Sequence, residues 1–400
     1  MPRPPEYDCI IVGGGLVGAC LALALSRLEL RLALIERSAA PVQQRPSFDD
    51  RALALNLVSQ GILNDLNLWS SLSPQAAPIR RVHVSERGRF GVVRIDADQY
   101  GLDALGHVVT ARIIGTFLTR SCAQLRHLTT LQPAELQAIR FGPDRVALDI
   151  VADQRRMTLD TRLLVGADGT DSTVRELLGL PVEVHDYRQT AVLTNIIATR
   201  APAGTAFERF TPAGPVAVLP MHDDRSKCVW VERADRSDEL LHIDDAEFER
   251  RLDEIMGGRL GRLRATGRRQ AYPLRAQWVR RGAGQRYVLV GNSATTLHPN
   301  GAQGFNLGIR DVAVLANVIN DAVERGADPG LVMSEFDAMR RPDRLSIRIA
   351  SHGLAHLFYN RNPLAAMARN MGMLSVATLP CFQSALARGG MGMSSGVVGL

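Results

Sequence analysis

The chain has 400 residues, 46% hydrophobic and 22% charged, the balance of a globular protein and not of a long disordered one. That length exceeds one small core and implies two joined domains or one large α/β domain with an insertion. The net charge of +6 is carried almost wholly by arginine, with Lys227 the one lysine; acids are interspersed and no basic block appears, which argues against nucleic acid as a partner. The five cysteines (Cys9, Cys20, Cys122, Cys228, Cys381) form no C-x-x-C pair and are odd in number, which fits a reduced, cytoplasmic chain better than a disulfide framework or a zinc site. No signal peptide and no apolar run of about 18 residues is visible.

In chain order, Cys9–Val12 reads as a short buried strand, Gly13–Gly18 as a turn, Ala19–Arg27 as a helix and Leu32–Ile35 as a second strand, which closes a βαβ unit. Pro41–Arg51 is polar and irregular, and Arg51–Leu66 has helical periodicity. Residues 81–95 alternate as strands do, and Arg112–Leu128 reads as a helix. Arg145–Val151 and Met157–Leu164 suggest a hairpin. From about Tyr187 to Ala271 lies a strand-rich region with candidates at Ala191–Ala198, Ala206–Phe210, Val216–Pro220 and Cys228–Glu232, plus a helix over Asp244–Met256. Tyr287–Val290 returns as a buried strand, and a helix starts near Gly304. After Pro342 the chain reads as helical, at Arg344–Leu357 and Pro363–Leu379, and the Gly-, Ser- and Met-rich tail Gly389–Leu400 is expected to be disordered.

The first chemical motif is Gly13-Gly14-Gly15-Leu16-Val17-Gly18, a G-x-G-x-x-G turn between strand and helix. Gly13 makes the tight turn, Gly15 lets the backbone approach a pyrophosphate, and Gly18 lets the helix pack on the strand. Glu36 ends the second strand 23 residues after Gly13, placed to accept from a ribose hydroxyl. With this context the turn reads as a dinucleotide site; the turn alone does not separate FAD from NAD.

The second motif is Gly166-Ala167-Asp168-Gly169, in which Asp168 would bind a hydroxyl or cap a helix. The third runs from Gly291-Asn292 through Leu297-His298-Pro299 to Gly304-Phe305-Asn306 and Arg310-Asp311, where glycines permit close approach to a flat ligand and a helix N-terminus follows.

These motifs, in this order and across essentially the whole chain, resemble the group A flavoprotein aromatic hydroxylases. The narrower likeness is to the ubiquinone-biosynthesis hydroxylases of the UbiH type, which act on 2-polyprenyl-6-methoxyphenol. It is carried by Ser47–Leu55, by Phe207-Glu208-Arg209-Phe210 with Leu219-Pro220-Met221, and by Leu297-His298-Pro299 with Gln303–Asn306. Where the wider family has Asp after the third-motif glycine, this chain has Asn292, as UbiH-type sequences do.

The resemblance implies an α/β fold: a Rossmann-like FAD-binding domain (1–80, 105–186 and 272–345), an inserted strand-rich substrate domain (81–104 and 187–271) and a C-terminal helical region (346–400). It implies FAD as cofactor, NADH or NADPH as reductant, O₂ as co-substrate and a prenylated phenol as substrate. Gly13, Gly15, Gly18 and Glu36 would hold the ADP half, Arg51 and Arg112 the flavin or its phosphates, Asp168 the pyrophosphate side, Asn292 the ribityl chain, and Gly304, Phe305 and Asn306 the ring edge. The alternative for Arg51 and Arg112 is an ordinary structural arginine. A phenol attacks best as its phenolate, and His298 is the candidate base, against the alternative of a histidine that packs the loop. Phe207, Phe210, Leu219, Met221, Tyr272 and Pro299 are candidates to line the substrate pocket, against the alternative of plain core residues. No metal is required, and no cluster with metal-ligand spacing is visible in the sequence.

The C-terminal helices read as a pair that packs on the FAD domain or on a second subunit in a homodimer, against the alternative of an element that meets a membrane surface or other ubiquinone-biosynthesis proteins; peripheral attachment on the inner membrane face belongs to that alternative. Competing readings are a hydroxylase of another phenol or ring position, a non-catalytic flavoprotein scaffold, and a flavin reductase of isoprenoid lipids.

Overall fold

The structure is a computed structural model that describes residues 5–39, 48–298, 303–359, 362–393, 396 and 399–400. Pro299, most of Pro41–Arg51 and part of the tail lie outside the described residues.

The first sheet grows from the strand Tyr7–Val12. It pairs in parallel with Leu32–Ile35 on one side and with Arg155–Gly166 on the other. Leu128–Leu131 and Tyr287–Leu289 extend it outward, also in parallel. Strands buried on both faces should be continuously apolar, and Ile10, Ile11, Leu32 and Ala33 are fully buried. One face is covered by the helix Leu16–Leu25, in which every residue from Gly18 onward is buried. A helix apolar all round is a core helix, and it packs against the long helix Gln303–Glu324 in the same hydrophobic cluster. The expected hairpin is present, as Val146–Ala152 paired antiparallel with Arg155–Gly166.

The second sheet is mostly antiparallel and runs in the order 295–296, 270–279, 182–198, 225–233, 215–220, 205–210, 81–86, 92–96. One pairing breaks the pattern: Thr205–Phe210 lies parallel to Arg81–Glu86, which brings the distant 81–96 segment into this sheet. Val182–Ala198 and Gln270–Val279 are continuous strands. The expected boundaries at 186/187 and 271/272 therefore fall inside strands. The helix expected over Asp244–Met256 spans Asp245–Met256, with the Asp244 side chain accepting from the Glu247 N–H at 2.7 Å.

Three local expectations are corrected. Arg51–Leu66 is not one helix: Ala52–Asn56 is a strand paired with Gly106–Thr110, and the helix Leu57–Asp65 starts only after Asn56 caps it by accepting from the Ser59 N–H at 2.9 Å. Pairing partners 50 residues away decided this, and periodicity does not report them. Helix Ala111–Cys122 likewise ends before Leu128, which joins the first sheet. The last long helix spans Met333–Tyr359 and passes through Pro342, so the proline removes one intrahelical hydrogen bond without ending the helix. In the tail, Pro380–Gly390 is helical, Met391 is buried, and the Leu400 N–H donates to Asp65. No helix among the described residues is long and apolar enough to cross a membrane.

Candidate active site

A cleft of about 1740 Å³ runs between the two sheets, lined by Gly13 and Gly15 at one end and by the C-terminal helices at the other. It exceeds the ~300–1,000 Å³ usual for one small ligand, so it holds room for a cofactor and a second molecule.

At the glycine turn the fit to a dinucleotide is testable from the backbone. Gly13 has φ +108°, and a Cβ there would stand 2.5 Å from the Ala167 carbonyl oxygen; a Cβ on Gly18 would stand 2.0 Å from the Gly13 oxygen. Both positions therefore exclude side chains, and Gly18 acts through packing and does not line the cleft. The helix beginning at Leu16 has Gly15 as its N-cap and no side-chain cap, so its first-turn N–H groups face the cleft beside Gly15, Leu16 and Val17. Glu36 lies alongside, with its two carboxylate oxygens accepting from the Gly14 N–H and the Ser38 N–H, both at 2.8 Å. These bonds aim the carboxylate and leave lone pairs for a ribose hydroxyl. The residues fit the ADP half of FAD.

Asp168 faces the same end of the cleft but is also a helix anchor. Its oxygens accept from the Ser172 hydroxyl at 2.6 Å and the Val174 N–H at 3.0 Å. Burial raises its carboxyl above the ordinary value, and these hydrogen bonds oppose that rise.

Further along, Gly304 opens the helix Gln303–Glu324, and a Cβ there would meet no atom within 4 Å, so its face looks into open space. Phe305 and the exposed Asn292 also border the cleft. Asn306 is buried: its Oδ1 accepts from the Asn56 N–H at 3.0 Å and the Ser59 hydroxyl at 2.7 Å, while its Nδ2 donates to the Ala54 carbonyl at 2.8 Å. It pins the Ala52–Asn56 strand to the start of the helix Gln303–Glu324.

Arg51 lines the cleft, paired with Asp49 at 2.7 Å and 5.5 Å above the Tyr272 ring; the Tyr272 hydroxyl donates to the other Asp49 oxygen at 2.8 Å. Arg112 instead pairs with Asp50 at 2.7 Å and is not among the cleft-lining residues.

Behind the third motif lies a buried ion network absent from the sequence reading. Asp311 is 1% exposed and accepts from the Gly291 N–H at 2.9 Å, Arg340 Nε at 2.7 Å and Arg344 Nη2 at 2.8 Å. Arg310 and Arg340 pair with Asp343 at 2.9 and 2.7 Å. Three arginines thus face two aspartates.

The opposite wall is apolar and built from alternate residues of the second sheet, among them Val84, Ile95, Ala217, Leu219 and Tyr272. Phe210 stacks on Phe358 at 3.6 Å, which ties this wall to the helix Met333–Tyr359. Phe207 touches the cleft but also packs against the hydrophobic cluster that holds Trp230 and Phe248, with its ring 5.3 Å from that of His83. Met221 is not in the lining and packs beside Ala77 and Val108.

His298 and Glu208 are ionisable groups of this region. His298 is buried, with its ring edge-on to Tyr187 at 4.6 Å and Nε2 3.4 Å from the Gln189 side-chain oxygen, while its carbonyl accepts from the Ser351 hydroxyl at 3.3 Å. Glu208 was not singled out as a site residue from the sequence. It lies on the strand Thr205–Phe210, facing the cleft with no hydrogen-bond partner among the described residues, and burial pushes its carboxyl up to about 7. The signal was present: a lone acid alternating with Ala206 and Phe210 on the apolar face of a strand.

Among the described residues, three histidines far apart in the chain lie close enough together to share one ion. His185, His352 and His356 are brought together by the packing of a strand against a helix.

A family model for an FAD binding domain matches residues 6–342. The chain is 35% identical over 388 residues to the ubiquinone hydroxylase UbiL of Rhodospirillum rubrum, covering 96% of this chain and 89% of the relative. It is 28% identical to the 3-demethoxyubiquinol 3-hydroxylase of Escherichia coli, covering 92% and 94% of the two chains. Among solved structures, p-nitrophenol 4-monooxygenase PnpA from Pseudomonas putida superposes with a TM-score of 0.78 at 18% identity over 97% of both chains, a likeness of fold. The chain is an FAD-dependent aromatic hydroxylase and belongs to the flavoprotein family that includes the ubiquinone hydroxylases.

Proposed function

We propose that the protein hydroxylates the ring of a prenylated phenol on the route to ubiquinone, of the 2-polyprenyl-6-methoxyphenol type, with NADH or NADPH as reductant and O₂ as co-substrate. The observation that carries this reading is the form of the cleft. One end is a backbone cradle for a dinucleotide, the middle is an apolar wall, and the far end is bordered by Gly372, Val376 and Leu386 of the C-terminal helices. A long isoprenoid tail needs such an apolar exit. Exposed Leu364, Met367, Met371 and Phe382 on those helices suit delivery of a lipid-borne substrate from a membrane surface. The relatives' names, ubiquinone hydroxylase and demethoxyubiquinol hydroxylase, agree with this class.

Bound FAD, reduced by the nicotinamide, supplies the activated oxygen; the protein binds, orients and shields. In this reading segments 1–80, 105–186 and 272–345 hold the cofactor, and 81–104 with 187–271 form the substrate wall. Gly13, Gly15, Gly18 and Glu36 hold the ADP half, with Asp168 on the pyrophosphate side. Asn292, Gly304 and Phe305 border the ribityl chain and ring, and Asn306 keeps their loop in place. Arg51 reaches the cofactor from the Tyr272 side. The excess buried positive charge around Arg310, Arg340 and Arg344 suits an electron-rich ring in front of it. Phe210, Leu219 and Tyr272 contact the substrate.

Glu208 accepts the phenol proton: among the described residues it is the carboxyl that the second sheet turns to the cleft, and near neutral pH it exchanges a proton with little driving force. His298 is engaged with Tyr187 and Gln189 and in this reading holds the loop. Glu208→Gln should keep its FAD and lose about 10²–10⁴-fold in kcat/KM. The wild-type rate should climb as pH passes about 7, and the variant's should not. Stability should move the opposite way. The folded value lies above the ordinary 4.5, so the neutral carboxyl is favoured in the folded state, and the associated stability is present below the ordinary value and lost as pH rises through about 7. An unchanged pH–rate profile in the variant removes Glu208 from the proton path.

Purified protein given NADH or NADPH and a prenylated methoxyphenol should take up O₂ and return a product with one added oxygen. Bound flavin without substrate-dependent oxidation points to a scaffold, and double-bond reduction without O₂ uptake points to a reductase.

A further inference from the structure

We propose that His185, His352 and His356 bind one divalent transition-metal ion of the zinc class at the outer surface, on the far side of Tyr187 from the cleft. His352 and His356 stand four residues apart on the helix Met333–Tyr359 and so share one face. His185 reaches them from the strand Val182–Ala198. One ligand atom from each lies within 4.8 Å of the others, and the ring centroids are 4.2, 4.7 and 5.4 Å apart. Tetrahedral zinc with metal–nitrogen bonds of ~2.0–2.1 Å needs donor atoms about 3.4 Å apart, so closure takes small side-chain rotations. The exposed His356 has the freedom for them.

The second observation is the hydrogen bond between the Tyr187 hydroxyl and His352 Nδ1 at 3.1 Å. With Nδ1–H donating to the phenol oxygen, the lone pair of Nε2 is left for a metal, which is how a ligating histidine is usually oriented by its neighbours. Three imidazoles without a carboxylate favour Zn²⁺, Cu²⁺ or Ni²⁺ over Mg²⁺ or Ca²⁺. Half-exposed ligands leave a position for water. The nearby cation, Arg348, is one turn earlier on the same helix with its guanidinium over the Trp278 ring at 4.4 Å, and it does not occupy the site.

The two elements that would share the ion also form the cleft: Ala191 and Leu193 come from the strand, Ser351 and Phe358 from the helix. A bound ion would fasten these walls to each other. It would also act on the ring of Tyr187, which lies 4.6 Å from the His298 ring in a T-shaped contact. The site is therefore two side chains from the cleft, and its existence does not depend on which phenol the enzyme uses.

The test uses untagged, FAD-loaded protein freed of metal by chelation and dialysis, titrated calorimetrically with zinc chloride. One ion per chain is expected, with a rise in melting temperature on binding. His352→Ala/His356→Ala should weaken binding by at least about a hundredfold and abolish the thermal shift while its flavin content stays at the wild-type level. His185→Ala should do the same through the other element. Tyr187→Phe should weaken binding about tenfold, as loss of an orienting partner does. Absence of binding to the wild type overturns the proposal, as does equal binding by the double variant, which would place the ion elsewhere, for instance at the exposed Cys381.

Discussion

Gly13→Ala should yield a chain that does not retain FAD. The added methyl would lie 2.5 Å from the Ala167 oxygen and 2.6 Å from Asp168 Cα, both backbone atoms of the strand-to-turn segment that forms the other side of the cradle. A flexible side chain can move from such a contact, but here two strands of one sheet would have to separate. The Val12 carbonyl accepts the Ala167 N–H at 2.7 Å at that point. The φ of +108° adds left-handed strain of about 1–2 kcal/mol. The measurement is the flavin-to-protein absorbance ratio after purification, with a melting curve taken with and without added FAD. Gly179→Ala is the control: φ is +62°, nothing lies within 4 Å of the new methyl and the residue is not part of the cleft lining, so it should show the strain alone and keep its flavin. Full flavin occupancy in Gly13→Ala would contradict the cradle.

Asp311→Asn should cost about 3–5 kcal/mol of folding stability, the range for removing one partner of a buried ion pair. Asp311 is 1% exposed and is the common acceptor for Arg340, Arg344 and the Gly291 N–H. Burial by itself would raise its carboxyl; the Arg344 and Arg340 guanidiniums overcome this and hold it below the ordinary 3.8. The charge therefore contributes stability above the ordinary carboxylate value, and that contribution is lost as pH falls through the lower folded value. An amide offers one oxygen where the network uses two, and Asp343, paired with Arg310 and Arg340, would be the remaining carboxylate while Arg344 lost its ion pair with Asp311. Urea midpoints measured near neutral pH and in mild acid would test both the size and the sign. A loss under about 1 kcal/mol would mean that water takes the place of the charge. The same substitution frees the Gly291 N–H, so the third-motif turn should loosen and flavin affinity should fall with it.

Much of the cofactor half is legible in the chain because its signals are local. The run of apolar residues into Gly13, the spacing to Gly18 and the acid at the end of Leu32–Ile35 specify a turn whose geometry depends on backbone sterics within about 30 residues. The strand-rich half is legible as alternation, though its edges are not. Val182–Ala198 continues past the expected start because Gln270–Val279 pairs along its length.

What the sequence by itself determined is therefore the dinucleotide turn, the α/β class and the membership of a hydroxylase family, since each rests on residue types at short, fixed spacings. The tertiary structure decided which polar groups meet. It made Asp311 the shared partner of Arg340 and Arg344 and turned Glu208 from one residue of a strand into a carboxyl held near neutrality. It also moved Arg112 out of the cleft and brought His185 to His352 and His356. The reason is physical: a carboxyl's proton affinity and a histidine's neighbours are set by burial and by charges on elements far apart in the chain, and these come together only when the two sheets and the last helices pack.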